Sequence, residues 1–146
     1  MGLSARTQRL LELSSRPGLG VGTLRKIALS AETRPDAIYD EEFIERLTIR
    51  TSTAKQNVDA WKRILDDCEA LSIRVLSSLD DDYPVRLRTI EDFPPLLYVR
   101  GSATGLAMTG CAVVGTREAS RLGLNWARQI AEIVASKQMT VVSGLA

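Results

Sequence analysis

Histidine is absent from this 146-residue chain. Its absence removes the commonest general base and the commonest metal ligand, so neither a Ser-His-Asp triad nor a zinc site can be built from this chain alone. Cysteine is scarce as well. Cys68 and Cys111 are the only two, and they show no short ligand spacing. In a chain without export signals, two free buried thiols are the expected state. Long apolar runs are also lacking. The weakly polar stretch from Thr104 to Gly115 is too short to cross a bilayer and contains Thr and Gly. The N-terminal MGLSARTQRL carries charge where a signal peptide needs an apolar core. Arg6 stands where the myristoylation pattern requires Ser or Thr. These absences lead to the expectation of a cytoplasmic protein with no metal and no membrane partner.

Strong net charge is missing too, at +1 overall, but the distribution is uneven. Residues 1–34 hold Arg6, Arg9, Arg16, Arg25, Lys26 and Arg34 against Glu12 and Glu32, a surplus of four. Residues 100–128 hold Arg100, Arg117, Arg121 and Arg128 against Glu118, a surplus of three. Acidic stretches, Asp36 to Glu45 and Asp80 to Asp82, lie between them. Two such patches can hold a polyanion locally, or they can belong to an ordinary mixed surface.

What is present is a change of period near residue 72. Leucines 3, 10, 11 and 13 predict a helix over 3–14, broken by Ser14 to Gly18. A second helix is expected from Gly22 or Thr23 through Leu29, and a short one from Asp36 to Leu47. A longer one is expected from Thr53 or Ala54 to Leu71, with apolar residues recurring at three and four. Residues 1–71 therefore read as a small all-helical unit. From residue 72 the pattern turns to strands: Ile73 to Leu76, Leu96 to Arg100, Cys111 to Val114 and Thr140 to Val142. A helical turn is expected at Val85 to Ile90. A helix over Ser120 to Lys137, with Leu122, Trp126, Ala127, Ile130, Ile133 and Val134 inward, joins the last two strands into a βαβ unit.

Two stretches could carry chemistry. The first is Val113 to Ser120, where a strand ends and a helix begins. Gly115 lets the backbone come close to a ligand, Thr116 and Ser120 offer hydroxyls, and Arg117 offers a planar fork for phosphate. Amides at the helix start favour an anion. Ser143 and Gly144 end the neighbouring strand, and ligands in open α/β sheets bind at such carboxyl ends. The GxGxxG dinucleotide signature is absent, and no cofactor is expected. The alternative is that Gly115 and Gly144 only make turns and Ser120 only caps the helix. The second stretch, Pro17 to Ile27, is similar to the hairpin of a helix-hairpin-helix. Gly18, Gly20 and Gly22 permit a tight turn, and Arg25 and Lys26 could meet DNA phosphates. The alternative is a plain interhelical turn. The Asp80-Asp81-Asp82 run reads as a solvated loop. Tyr98 and Arg100 could touch a base or a phosphate, with packing the simpler role for Tyr98.

Several stretches together resemble the DprA/Smf family. Asp82 to Gly101 is similar to its YPxxLxxIxDPPxxLYxxG segment, with Phe93 in the position before the two prolines. Val113 to Gly123 is similar to VGSRxxTxYG, with Thr116 for Ser, Ser120 for Thr and Leu122 for Tyr. Val141 to Ala146 is similar to VVSGxAxGID, cut before its last residues. The resemblance implies a sterile-alpha-motif-like helical domain over 1–71. Over 72–146 it implies the start of an extended Rossmann-like parallel-sheet domain, incomplete here, so the fold class is α/β. It also implies a protein that is not an enzyme. Such a protein binds and protects single-stranded DNA without base specificity and helps load a RecA-type recombinase during uptake of transforming DNA. Gly115, Thr116 and Arg117 inherit the family's DNA-pocket assignment, with Ser143 and Gly144 beside them. Leu122 replaces an aromatic residue, and Gln138 falls where a glycine commonly ends the helix. The family's usual dimerisation and recombinase surfaces would lie beyond residue 146, and an open sheet edge would favour self-association. A nucleotide-binding enzyme or sensor of related fold is the competing expectation. It wants a PGGxGT loop and a catalytic glutamate, which are not found.

Overall fold

The computed structural model describes residues 2–48 and 59–144. Helix α1 runs Ala5–Ser14, capped by Ser4, whose Oγ accepts the Thr7 amide at 3.1 Å. The chain turns through Gly18, whose φ of +83° is the left-handed region that a side chain disfavours. Helix α2 is Val21–Thr33. It starts slightly earlier than the expected Gly22 or Thr23, because the Gly20 carbonyl already accepts the amides of Thr23 and Leu24, each at 3.0 Å. The expected single helix from Asp36 to Leu47 is two elements. A 3-10 helix spans Pro35–Tyr39 and α3 spans Glu41–Leu47, with Asp40 between them. Asp40 accepts the Phe43 amide at 3.0 Å, an N-cap geometry incompatible with an uninterrupted helix. Helix α4 is Ala60–Ala70. The expected start at Thr53 or Ala54 lies outside the described residues.

Strand β1, Ile73–Ser77, pairs antiparallel with β2, Leu96–Arg100, placing Val75 opposite Tyr98. The short helix α5, Val85–Arg88, lies in the connection. Tyr83 is buried there and its hydroxyl donates to the Pro94 carbonyl at 2.6 Å. The chain divides into two compact units after Gly101, later in sequence than the change of period after Leu71. The reason is packing. Leu10, Leu13, Leu24, Ile27, Ile38 and Ile44 form one apolar cluster, and Leu79 and Leu96 pack against it. The first two strands therefore fold with the helices that precede them.

The second unit holds α6 (Thr104–Ala107), β3 (Gly110–Ala112), α7 (Arg121–Ser136) and β4 (Thr140–Val142). Strands β3 and β4 are parallel, Cys111 opposite Val141, so the βαβ unit forms and the chain is of mixed α/β class. A Cβ on Gly110 would sit 3.0 Å from Val142 Cγ2 and 3.3 Å from the Thr140 carbonyl, so a larger residue there would push on the paired strand. Strand β3 is shorter than the expected Cys111 to Val114, although the Val113 amide still donates to the Val142 carbonyl at 2.9 Å. Helix α7 closes on a left-handed Gln138, φ +57°. The Gln138 amide donates to Ala135 O at 2.9 Å and the Met139 amide to Val134 O at 3.2 Å, which together make a Schellman stop.

The expected inward face of α7 is the main correction. Of its large apolar side chains only Val134 is buried; Leu122, Ile130 and Ile133 are exposed and Trp126 is 57% exposed. One parallel strand pair covers only a narrow stripe of a helix, whereas an α/β helix normally rests on a wider sheet.

Candidate functional site

The parallel register decides the geometry of the second unit's binding edge. Because Ala112 lies opposite Val142, the two strands end together. The turn of residues 113–119 and the Ser143-Gly144 turn therefore leave from the same carboxyl edge. Gly115, Thr116, Arg117, Ser120, Ser143 and Gly144 are all exposed. A Cβ on Gly115 or Gly144 would meet nothing within 4 Å. Among the described residues, nothing crowds the Cβ side of either glycine, which leaves that side open to a ligand. Ser120 Oγ is engaged as the N-cap of α7, accepting the Gly123 amide at 3.1 Å. Ser143 Oγ donates to the Gly144 carbonyl at 3.4 Å.

Charge pairing is more extensive in the first unit, although its Arg6, Lys26, Arg63 and Arg100 form no ion pair among the described residues. In the first, Arg9, Arg16, Arg25, Arg34, Arg46, Lys62 and Arg74 each form an ion pair. In the second, Arg117, Arg121, Arg128 and Lys137 are all exposed, and none forms an ion pair among the described residues. Cations without internal partners are the ones available to an external anion.

The hairpin stands differently. Gly18 makes the turn and Gly20 is the N-cap of α2, while Gly22 has open space around it. Arg25 is tied inward. Its Nε donates to the Phe93 carbonyl at 2.8 Å, its Nη1 reaches Asp92 Oδ1 at 2.8 Å, and its guanidinium lies 5.7 Å from the Phe93 ring centre. Lys26 is exposed. The N-terminal surplus of positive charge is largely neutralised by carboxylates further along the chain. Arg9 and Arg16 both meet Glu41, Arg16 at 2.6 Å, and Arg34 meets Asp40 at 3.2 Å. Arg16, and then Arg9, hold the Glu41 carboxyl below its ordinary range against the opposing effect of burial.

Asp80 is a residue whose role the linear pattern does not reveal. Asp82 is exposed and pairs with Arg74 at 3.1 Å, as a solvated loop would have it. Asp80 instead accepts Thr7 Oγ1 at 2.6 Å, Ser4 Oγ at 2.8 Å and the Ser77 amide at 2.8 Å. Burial alone would raise its pKa; the hydrogen bonds from Thr7, the Ser77 amide and Ser4 outweigh that and lower it. The available signal was the pair of short motifs Ser4-x-x-Thr7 and Ser77-x-x-Asp80, each a capping or turn pattern. A cleft of ≈ 280 Å³ beside this network carries four carboxylates, Glu69, Asp80, Asp81 and Asp82, against one cation, Arg74, a net negative setting that disfavours phosphate. No metal-binding cluster of His, Cys, Asp and Glu occurs among the described residues. None of the described helices is long and apolar enough to cross a membrane. Tyr98 and Arg100 are exposed on β2, in the first unit, whereas the turn edge belongs to the second.

The family model described as DNA recombination-mediator protein A matches residues 74–146. The chain is 28% identical over 148 residues to Protein Smf of Synechocystis sp. (strain ATCC 27184 / PCC 6803 / Kazusa), covering 93% of this chain and 37% of that protein. It is 39% identical over 64 residues to Protein Smf of Escherichia coli (strain K12), covering 44% of this chain and 17% of that protein. The chain thus spans little more than a third of the length of the first of these relatives.

Proposed function

The chain belongs to the DNA recombination-mediator protein A family, and from that premise we propose that it binds single-stranded DNA, without reading base sequence, in DNA processing and recombination. The observation that carries this reading is the exposed Arg117, without an ion pair among the described residues, in the Gly115-Thr116-Arg117 turn, beside Ser143-Gly144 at the shared end of two parallel strands. A guanidinium can hold one phosphate through two hydrogen bonds, and backbone amides of an uncrowded turn can hold the next. Such contacts position a strand and carry no sequence information. Binding rather than catalysis is the proposed activity. Protection of incoming strands in transformation, and their delivery to a RecA-type recombinase in the cytoplasm, form the wider role that the resemblance supports.

The test is a fluorescence-anisotropy titration of a labelled oligothymidylate, run at several salt concentrations, against duplex DNA and mononucleotide competitors. Arg117→Ala should weaken single-strand binding and make the slope of log K against log salt shallower by about 0.7, the value for one phosphate contact on a single strand. Unchanged affinity and slope in that variant would remove the turn from the DNA site. Preferential competition by a mononucleotide would favour a nucleotide-binding role instead.

A further inference from the structure

We propose that the polar face of α7 extends the DNA path beyond the turn, with Arg121 and Arg128 as phosphate contacts and Asn125 between them. This rests on the reading of the turn as a single-strand site. Arg121, Asn125 and Arg128 are spaced i, i+4, i+7 and therefore share one face of the helix. All three are exposed. The inward face is a different set at the same spacing: Ala127 and Ala131, partly buried, and Val134, buried. From Arg121 to Arg128 the helix rises about 10 Å, the reach of a few nucleotides.

The stripe differs from an ordinary solvated helix face in two ways. It begins at the candidate site, since Ser120 caps α7 and Arg117 precedes that cap by one short turn of chain. It is also unneutralised. Glu132 follows Arg128 at i+4, where a helical ion pair commonly forms, yet among the described residues Arg128 makes no such pair. Seven cations of the other unit are engaged by carboxylates, whereas these two have no carboxylate partner among the described residues. Glu132 lies on the same face and marks where the track stops, because a carboxylate there repels the next phosphate. A strand seated in the turn would thus run along α7 for about two turns and then leave.

The proposal predicts a dependence on strand length. Arg121→Gln combined with Arg128→Gln should leave affinity for an oligothymidylate covering only the turn within about twofold. For a longer oligothymidylate it should lower affinity at least tenfold and make the salt slope shallower by about 1.4, for two lost contacts. The Arg121→Lys, Arg128→Lys protein should recover most of the affinity. Arg46→Gln with Arg63→Gln removes the same charge elsewhere, from exposed positions of the first unit, and should change neither slope nor affinity beyond twofold. Circular dichroism checks that each variant keeps its helices. If Arg117→Ala weakens binding while the Arg121/Arg128 variant matches wild type on long strands, the track is wrong and the turn site stands. If the off-track control loses as much as the track variant, the effect is general charge and the track is again wrong. If neither Arg117 nor the track variant changes binding, both readings fall.

Discussion

Replacing Asp80 by Ala should destabilise the first unit far more than the same change at either neighbouring aspartate. In the folded protein the Asp80 carboxylate accepts Thr7 Oγ1, Ser4 Oγ and the Ser77 amide, at 2.6, 2.8 and 2.8 Å. The three losses are unequal. Ser4 is exposed and turns to water. Thr7 is fully buried but keeps Ser77 Oγ at 2.8 Å as an alternative acceptor. The Ser77 amide belongs to a fully buried residue and is left without its acceptor. An orphaned buried donor costs about 1 to 3 kcal/mol, and the charge of the lost acceptor puts the expected cost in the upper part of that range, about 2 to 3 kcal/mol. With a urea m-value on the order of 1.5 kcal/mol/M, the midpoint falls by about 1 to 2 M. A Trp126→Phe background leaves Trp61, in the first unit, as the fluorescent reporter. The Asp81→Ala protein should shift by less than about 0.5 kcal/mol, and the exposed Arg74–Asp82 pair contributes about 1 kcal/mol at most. Because the folded pKa of Asp80 lies below its ordinary 3.8, its stabilisation is present above that value and is lost as pH falls through the folded pKa. Wild type should therefore lose stability in acid more steeply than Asp80→Asn. An Asp80→Ala midpoint no lower than that of Asp81→Ala would refute the reasoning.

Arg25→Ala should cost the first unit about 1 to 2 kcal/mol, mostly through the unpaired Phe93 carbonyl, since Asp92 is 88% exposed and its pair with Arg25 is screened. Lys26→Ala should stay within about 0.5 kcal/mol in the same urea titration. Gln138→Gly should stabilise the second unit by about 1 kcal/mol, because Gln138 holds a positive φ that glycine adopts freely; amide exchange across α7 reads this. Trp126 should be quenched by acrylamide more than Trp61, and Trp126→Asp should reduce concentration-dependent self-association in sedimentation, since it removes the centre of an exposed apolar stripe. Equal quenching of the two tryptophans would contradict the exposed face.

Local pattern was enough for most elements and for the family. Apolar spacing located α1, α2, α4 and α7, the alternation and apolar runs located the four strands, and Ser120 was legible as a cap. These features depend on residues within one or two turns of each other, where backbone sterics and capping act. The split at Asp40 was legible only in part, because an aspartate in a helical pattern can face solvent or cap, and only its geometry with Phe43 decides. The resemblance to the family was likewise legible in short ordered motifs, Asp82 to Gly101 and Val113 to Gly123, both inside the matched residues 74–146.

Long-range pairing was not legible. Arg25 reads as a surface cation beside a glycine hairpin until Asp92 and Phe93 are seen to meet it across nearly half the chain. Asp80 reads as one of three equivalent carboxylates until Ser4 and Thr7 arrive from α1. The α7 face reads as core because its apolar residues recur at helical spacing, but spacing specifies only which side chains share a side. Whether that side is covered depends on how much sheet stands opposite, and here β3 and β4 cover only the stripe around Val134. Sequence by itself determined most of the elements, the glycine turn at Gly18 and the place of Arg117 in a strand-to-helix turn, since these follow from local backbone and side-chain properties. Which charges are neutralised, and which apolar surface is buried, was decided by tertiary structure alone, because Coulombic pairing and desolvation depend on distances between residues far apart in the chain.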